Sequence, residues 1–205
     1  MLAFRDTALV DSLGFNAQTF PAMFIPNTYE LYWTVTAKGF IVRMHKEYQQ
    51  FWDRNRTEKL QRSGLSQLEV SALAAIVDEE TRFNSEKPRV AGVYVNRLKK
   101  GMKLQADPTV KFAVGNFNIK RVLHAHLAVA SPYNTYKNYG LPPGPIRIPS
   151  IAGIDAVLNY EKHEYIYFCA NADFSGKHAF AKTLAQHNAN AAKYRRALNR
   201  NKIWR

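Results

Sequence analysis

Apolar residues recur every three or four positions along much of the chain, the spacing of helices that bury one face. Phe40, Ile41, Met44, Tyr48, Phe51 and Trp52 form such a stripe behind Thr36, whose hydroxyl suits an N-cap, with Lys38, Arg43, Lys46, Arg54 and Arg56 as its basic complement. Ser66-Gln67-Leu68-Glu69 matches a capping box flanked by Leu65 and Val70 as a hydrophobic staple, and predicts a helix over about 67–82. Val90, Val93, Tyr94 and Leu98 keep the helical spacing over 86–100, with Gly101 as a stop signal; a strand is the alternative there.

Elsewhere the pattern changes. Residues 20–33 place two prolines among aromatics, which suits looped or extended chain. Between 101 and 150, Asp107-Pro108-Thr109, Ser131-Pro132-Tyr133-Asn134-Thr135-Tyr136 and Gly140-Leu141-Pro142-Pro143-Gly144-Pro145 are loop chemistry, and long ordered loops usually carry function. Ser150 caps a short helix, residues 164–170 alternate like a strand, and Asp173-Phe174-Ser175-Gly176 turns the chain so that His178 to Lys182 returns. Thr183 then caps a last helix ending near Leu198, before a basic tail over 199–205. Helices first and strands late predict an α+β fold: one helix-rich domain over 1–205, with a small antiparallel sheet and long ordered loops.

Composition narrows the partners. The 205 residues carry 29 Lys and Arg against 16 Asp and Glu, a formal charge of +13 that favours an anionic partner: nucleic acid, a membrane surface or an acidic polymer. Cys169 is the single cysteine and lies in an apolar run, so no internal disulfide forms and a buried, inert thiol is expected. No run approaches the roughly 20 apolar residues of a membrane span, and residues 1–20 lack a signal peptide's layout. The chain as given is expected to be soluble, and its opening residues read like the interior of a domain.

Three acids stand together at Asp78-Glu79-Glu80, and about 100° of helical rotation per residue sends them to different faces. Only Glu80 shares the stripe of Leu73, Ile76 and Val77; Asp78 points away and Glu79 lies off the edge. A carboxyl on an apolar face loses solvation, which raises its pKa toward the value a general acid needs at neutral pH. The alternative is a helix-end glutamate paired with a nearby Arg or Lys. Glycoside hydrolysis usually asks for a second carboxylate, for which Asp107 is available; its other reading is an N-cap for a helix begun by Pro108.

The histidines at 45, 124, 126, 163, 178 and 187 show no zinc-protease spacing and have no cysteine pairs beside them, so no metal site is expected. His124-x-His126 is the weak exception, and His178 fits a core position in a strand. Phosphate-binding glycine loops and a nucleophile elbow are absent from the sequence, as is any recognised nucleic-acid module.

Ala74-Ala75-Ile76-Val77-Asp78-Glu79-Glu80-Thr81 closely resembles the helix that carries the catalytic glutamate in the YceG-like endolytic transglycosylase family. Val90 to Leu98, Gly101 to Val110, Ser131 to Tyr136, Gly140 to Ile146, His178-Ala179-Phe180 and His187-Asn188 match in order, so the likeness spans about residues 20–195. The sequence departs from the family at Ala106, where Thr is common, and at Ala22-Met23, where Glu-Gly often stands.

The resemblance implies that Glu80 is the acid/base, and that Gln105, Asp107, Thr109, Tyr133, Asn134, Thr135 and Tyr136 bind substrate. It implies cleavage of the glycosidic bond between N-acetylmuramic acid and N-acetylglucosamine without water, no cofactor, peptidoglycan strands as the partner and membrane-bound synthases nearby. It further implies an extracytoplasmic protein at the inner membrane, residues 1–35 leading from an absent LysM-like and membrane-anchor region. A basic surface suits a polymer bearing lactyl-peptide carboxylates, leaving nucleic acid unnecessary. Three rival readings remain: a muramidase using Glu80 and Asp107, a non-catalytic wall-binding module, and a pyridoxal-phosphate lyase, for which the sequence offers neither a Schiff-base lysine setting nor a phosphate cradle.

Overall fold

The structure, a computed structural model, describes residues 7–119 and 121–201. Among them run α1 (Thr7–Ser12), a 3-10 turn (Phe20–Met23), α2 (Ala37–Phe51), α3 (Arg54–Ser63), α4 (Gln67–Glu80) and α5 (Lys87–Lys99). Then come α6 (Asp107–Val114), α7 (His124–Leu127), α8 (Ile151–Leu158), β1 (Tyr167–Ala170), β2 (His178–Ala181) and α9 (Leu184–Arg200). This is the α+β architecture expected, helix-rich with one small antiparallel sheet.

The centre is α4. Val70 through Val77 are all buried, so the helix is enclosed all round by α5, α6, α8 and the 3-10 turn. Its run of alanines lets neighbouring backbones come close, while Leu73, Ile76 and Val77 fill the core at about 1.5–3 kcal/mol of burial for each large side chain. The capping box forms as read: Ser66 Oγ accepts from the Glu69 amide, and the Glu69 carboxylate accepts from the Ser66 amide. The helix stops at Glu80 rather than near 82, because Thr81 turns extended (φ −144°) and its hydroxyl accepts from the Phe83 amide.

Asp78 does point away from the apolar stripe, yet it is not solvated, because the N-terminus of α8 covers that side. Its carboxylate pairs with Lys87 Nζ at 2.7 Å and accepts from Ser150 N at 2.6 Å and Ser150 Oγ at 2.8 Å. Both charged side chains are buried, so the pair fastens α4, α5 and α8 together. Gly153 is required at the third position of α8: a Cβ there would come within 2.6 Å of the Asp78 carboxylate.

Three helices escape the sequence pattern, among them α7, which lies in the stretch over 101–150 read as loop. The segment expected to be looped over 1–35 contains α1, and α3 buries no residue fully, being held by the Asp53 cap and the Arg56–Asp155 pair at 3.0 Å. Residues 1–6 and 202–205 lie outside the described residues; of the expected basic tail, Asn199 and Arg200 still belong to α9. Phe168 of β1 faces Phe180 of β2 across the sheet, α9 covers one face, and Phe168 meets Tyr94 of α5 edge-on at 5.9 Å. Cys169 is half-buried in β1, and burial pushes its thiol pKa up.

Candidate active site

A cavity of about 210 Å3 opens where the end of α4, the middle of α5, the start of α6 and β1 converge. Glu80, Tyr94, Arg97, Gln105, Asp107, Tyr136 and Phe168 line it. The Tyr94 hydroxyl donates to Glu80 Oε1 at 2.7 Å. Burial raises the Glu80 carboxyl to a pKa of about 7; Asp107 adds to the rise, while the Tyr94 hydrogen bond and the positive sides of His178 and Arg97 hold it back. The Tyr94 phenol is raised well above its ordinary range, by burial first and by Glu80 second, and so stays a donor.

Arg97, one helical turn beyond Tyr94, donates from Nε to Ile166 O at 2.7 Å and from Nη1 to Leu104 O. Among the described residues no carboxylate pairs with it, so a buried guanidinium faces the cavity with charge to spare. His178 stands behind this wall, its amide and Nδ1 both donating to Glu86, at 2.8 and 2.9 Å. Burial raises the Glu86 pKa, but these bonds outweigh it and hold the group below its ordinary value.

Gln105 has a left-handed backbone (φ +49°), a strained conformation for a side-chain-bearing residue, held by its amide donating to Thr135 O at 3.1 Å. Asp107 is the first residue of α6; Ala106 occupies the N-cap position without a side-chain bond, so Asp107 is not the cap. Tyr136 Oη instead donates to Asp107 Oδ1 at 2.6 Å, bridging α6 to the loop over 131–138. Burial and this bond both raise the Tyr136 phenol.

The structure thus brings Glu80, Gln105, Asp107 and Tyr136 to one cavity and puts the other four sequence candidates elsewhere. Thr109 and Thr135 are buried behind it: Thr109 Oγ1 donates to Ala106 O at 2.7 Å and lies 2.8 Å from Thr135 Oγ1, which accepts from the Ala106 amide. Asn134, also buried, donates to Leu127 O and Val129 O and accepts from the Tyr136 amide. These three spend their polar atoms within the protein, shaping the loop that presents Tyr136. Tyr133 meets the Phe112 ring at a tilt (centroids 4.6 Å apart) and lines a different hollow.

Tyr94, Arg97 and Phe168 were not legible as cavity residues. Helical spacing reads Tyr94 as packing, and only the placing of a charge one turn after it, on the same face, could have hinted at more.

A family model described as YceG-like matches residues 3–193. The chain belongs to the YceG-like family. An endolytic murein transglycosylase of Bacillus subtilis is 40% identical over 136 residues, 66% of this chain but 37% of that protein. One of Streptococcus pneumoniae serotype 2 is 32% identical over 130 residues, 62% of this chain and 23% of that protein. The crystal structure of a YceG-like protein from Listeria monocytogenes superposes with a TM-score of 0.77 at 33% identity, covering 91% of this chain and 65% of that one. The chain therefore matches well under half the length of these two relatives, 37% and 23%. Among its described residues no helix is long and apolar enough to cross a membrane, and no three metal-binding side chains cluster.

Proposed function

We propose that this chain cleaves peptidoglycan strands as a lytic transglycosylase, with Glu80 as both acid and base. The observation that carries the reading is the Glu80 carboxyl, bonded to Tyr94 and set in a cavity lined by aromatic and polar groups, where desolvation raises its pKa to about 7. At neutral pH such a group is as ready to give a proton as to take one.

In the first step Glu80 protonates the glycosidic oxygen as the bond from C1 of muramic acid breaks. Its carboxylate then accepts the proton of the same sugar's C6 hydroxyl as that oxygen closes onto C1, giving a 1,6-anhydro end and consuming no water. The carboxylate formed midway is stabilised by the Tyr94 hydroxyl and the Arg97 charge. Gln105 and the Asp107–Tyr136 pair are placed to orient the sugar. The two named relatives support the reading. On this reading the working protein acts outside the cytoplasmic membrane, beside the synthases that make the strands.

Asp107 in the same cavity favours one second reading, a muramidase in which it activates water. Digestion of purified peptidoglycan by this chain and by Glu80→Gln, with mass analysis of the ends, separates the two. Anhydro ends, lighter by one water and absent with the variant, are expected; ordinary reducing ends sink the transglycosylase.

A further inference from the structure

The catalytic cavity, at about 210 Å3, is smaller than the roughly 300–1,000 Å3 of a pocket that encloses a drug-sized ligand. A strand cut in its interior must lie largely outside it. Next to the cavity is a hollow of about 590 Å3 whose lining includes Glu79 and Pro108, the chain neighbours of Glu80 and Asp107. The end of α4 and the start of α6 therefore wall both spaces. The hollow continues past Phe112 and Arg147 into another of about 430 Å3.

Its chemistry differs from that of the cavity. Glu79 and Arg147 pair at 2.6 Å and cancel. Lys111 makes no ion pair among the described residues, so it offers the hollow a cation. Beside it Phe117 is 70% and Ile148 44% exposed, apolar surface left to water on both walls. A stripped glycan keeps only the lactyl carboxylate, held close to the sugar ring, and its acetamide methyls. A short peptide with carboxylates and methyl side chains uses both the cation and the apolar surface.

We infer that this hollow seats the stem peptide, the acidic chain on the lactyl group of muramic acid, with a carboxylate toward Lys111 and alanine methyls on Phe117 and Ile148. The inference rests on the glycan-cutting reading of the Glu80 cavity. The lactyl group hangs from C3 of the very sugar cut at C1, so its peptide must leave the cavity along an adjoining wall. The enzyme then selects stem-bearing stretches over denuded ones.

The test compares strands carrying stems with strands stripped by an amidase. Wild type is expected to cleave the former about tenfold faster in kcat/KM, the worth of about one ionic hydrogen bond with some apolar burial. Lys111→Glu, at a half-buried position, and, separately, Phe117→Ser, at an exposed one, are expected to bring that ratio toward one. A second measurement needs no turnover: on Glu80→Gln, calorimetry should find a disaccharide-peptide binding tighter than the bare disaccharide, and Lys111→Glu added to that variant should erase the difference. Equal rates, together with equal affinities, overturn the stem-peptide seat while leaving the transglycosylase standing. Cleavage of neither polymer overturns the transglycosylase, and equal affinities in the calorimetry then overturn the seat as well.

Discussion

The Tyr94 hydroxyl and the Glu80 carboxyl, 14 residues apart on successive helices, meet at 2.7 Å with the phenol as donor. The bond favours the charged carboxylate, so it opposes the burial that drives Glu80 toward its neutral form. The balance leaves the acid near pH 7 rather than higher.

Tyr94→Phe removes that opposition at little cost in volume. The pKa of Glu80 is expected to rise above 7, so the acid stays protonated further into alkali. In a pH profile of kcat/KM the alkaline limb should move to higher pH by up to about one unit, a shift worth about 1.4 kcal/mol. An unmoved limb means that Tyr94 does not act on Glu80.

Glu80 also makes folding stability depend on pH. Its folded pKa of about 7 lies above the ordinary 4.5, so its contribution is fully present below pH 4.5 and is lost as pH rises through 7. The loss comes to about 2–3 kcal/mol for a carboxyl that still lines an open cavity. Glu80→Gln lacks it. Urea unfolding should find the variant more stable than wild type at pH 8 and no more stable at pH 4, while cleavage falls at least about a thousandfold.

Glu80 was legible in the sequence because two local rules agreed on it: the capping box sets where α4 starts, and 100° steps then put the residue on the apolar stripe. Thr36, Ser150 and Thr183 announced their helices in the same way, each accepting from the backbone amide three residues on. What stayed hidden depends on pairings distant in sequence. Nothing local says that α8 covers Asp78, or that Thr109 and Thr135, 26 residues apart, bury each other's hydroxyls. Loop composition marked 131–136 as functional without separating Tyr136, which reaches the cavity, from Asn134, which holds the loop. For α3 the pattern was silent because the helix has no buried face to record.

The Asp78–Lys87 pair is the site of a sharper stability prediction. Lys87→Met leaves a buried carboxylate with only the Ser150 bonds, and should cost about 3–5 kcal/mol in urea unfolding. Adding Asp78→Asn removes the stranded charge while keeping an acceptor, so the double variant should recover part of that loss. A double variant less stable than Lys87→Met contradicts the assignment of the pair as a mutually neutralised buried clamp.

Gln105 trades stability for position. Gly relieves its left-handed backbone, so Gln105→Gly should stabilise the fold by about 0.5–1 kcal/mol. The same change removes a side chain from the cavity wall and should lower kcat/KM. Thermal unfolding and cleavage rates must move in opposite directions; if both fall, the strain is not what Gln105 contributes.

Asp107 decides between one-carboxylate and two-carboxylate chemistry. In the proposed cleavage it orients the sugar with Tyr136, and Asp107→Asn keeps an oxygen that can still accept from the phenol. The loss should then be about ten- to a hundredfold, well short of that for Glu80→Gln, because the proton is given and taken by Glu80 alone. In a muramidase the same change removes the base or nucleophile, and both variants fall together. Parallel rates for Asp107→Asn and Tyr136→Phe would tie the effect to their shared hydrogen bond rather than to a proton carried by Asp107.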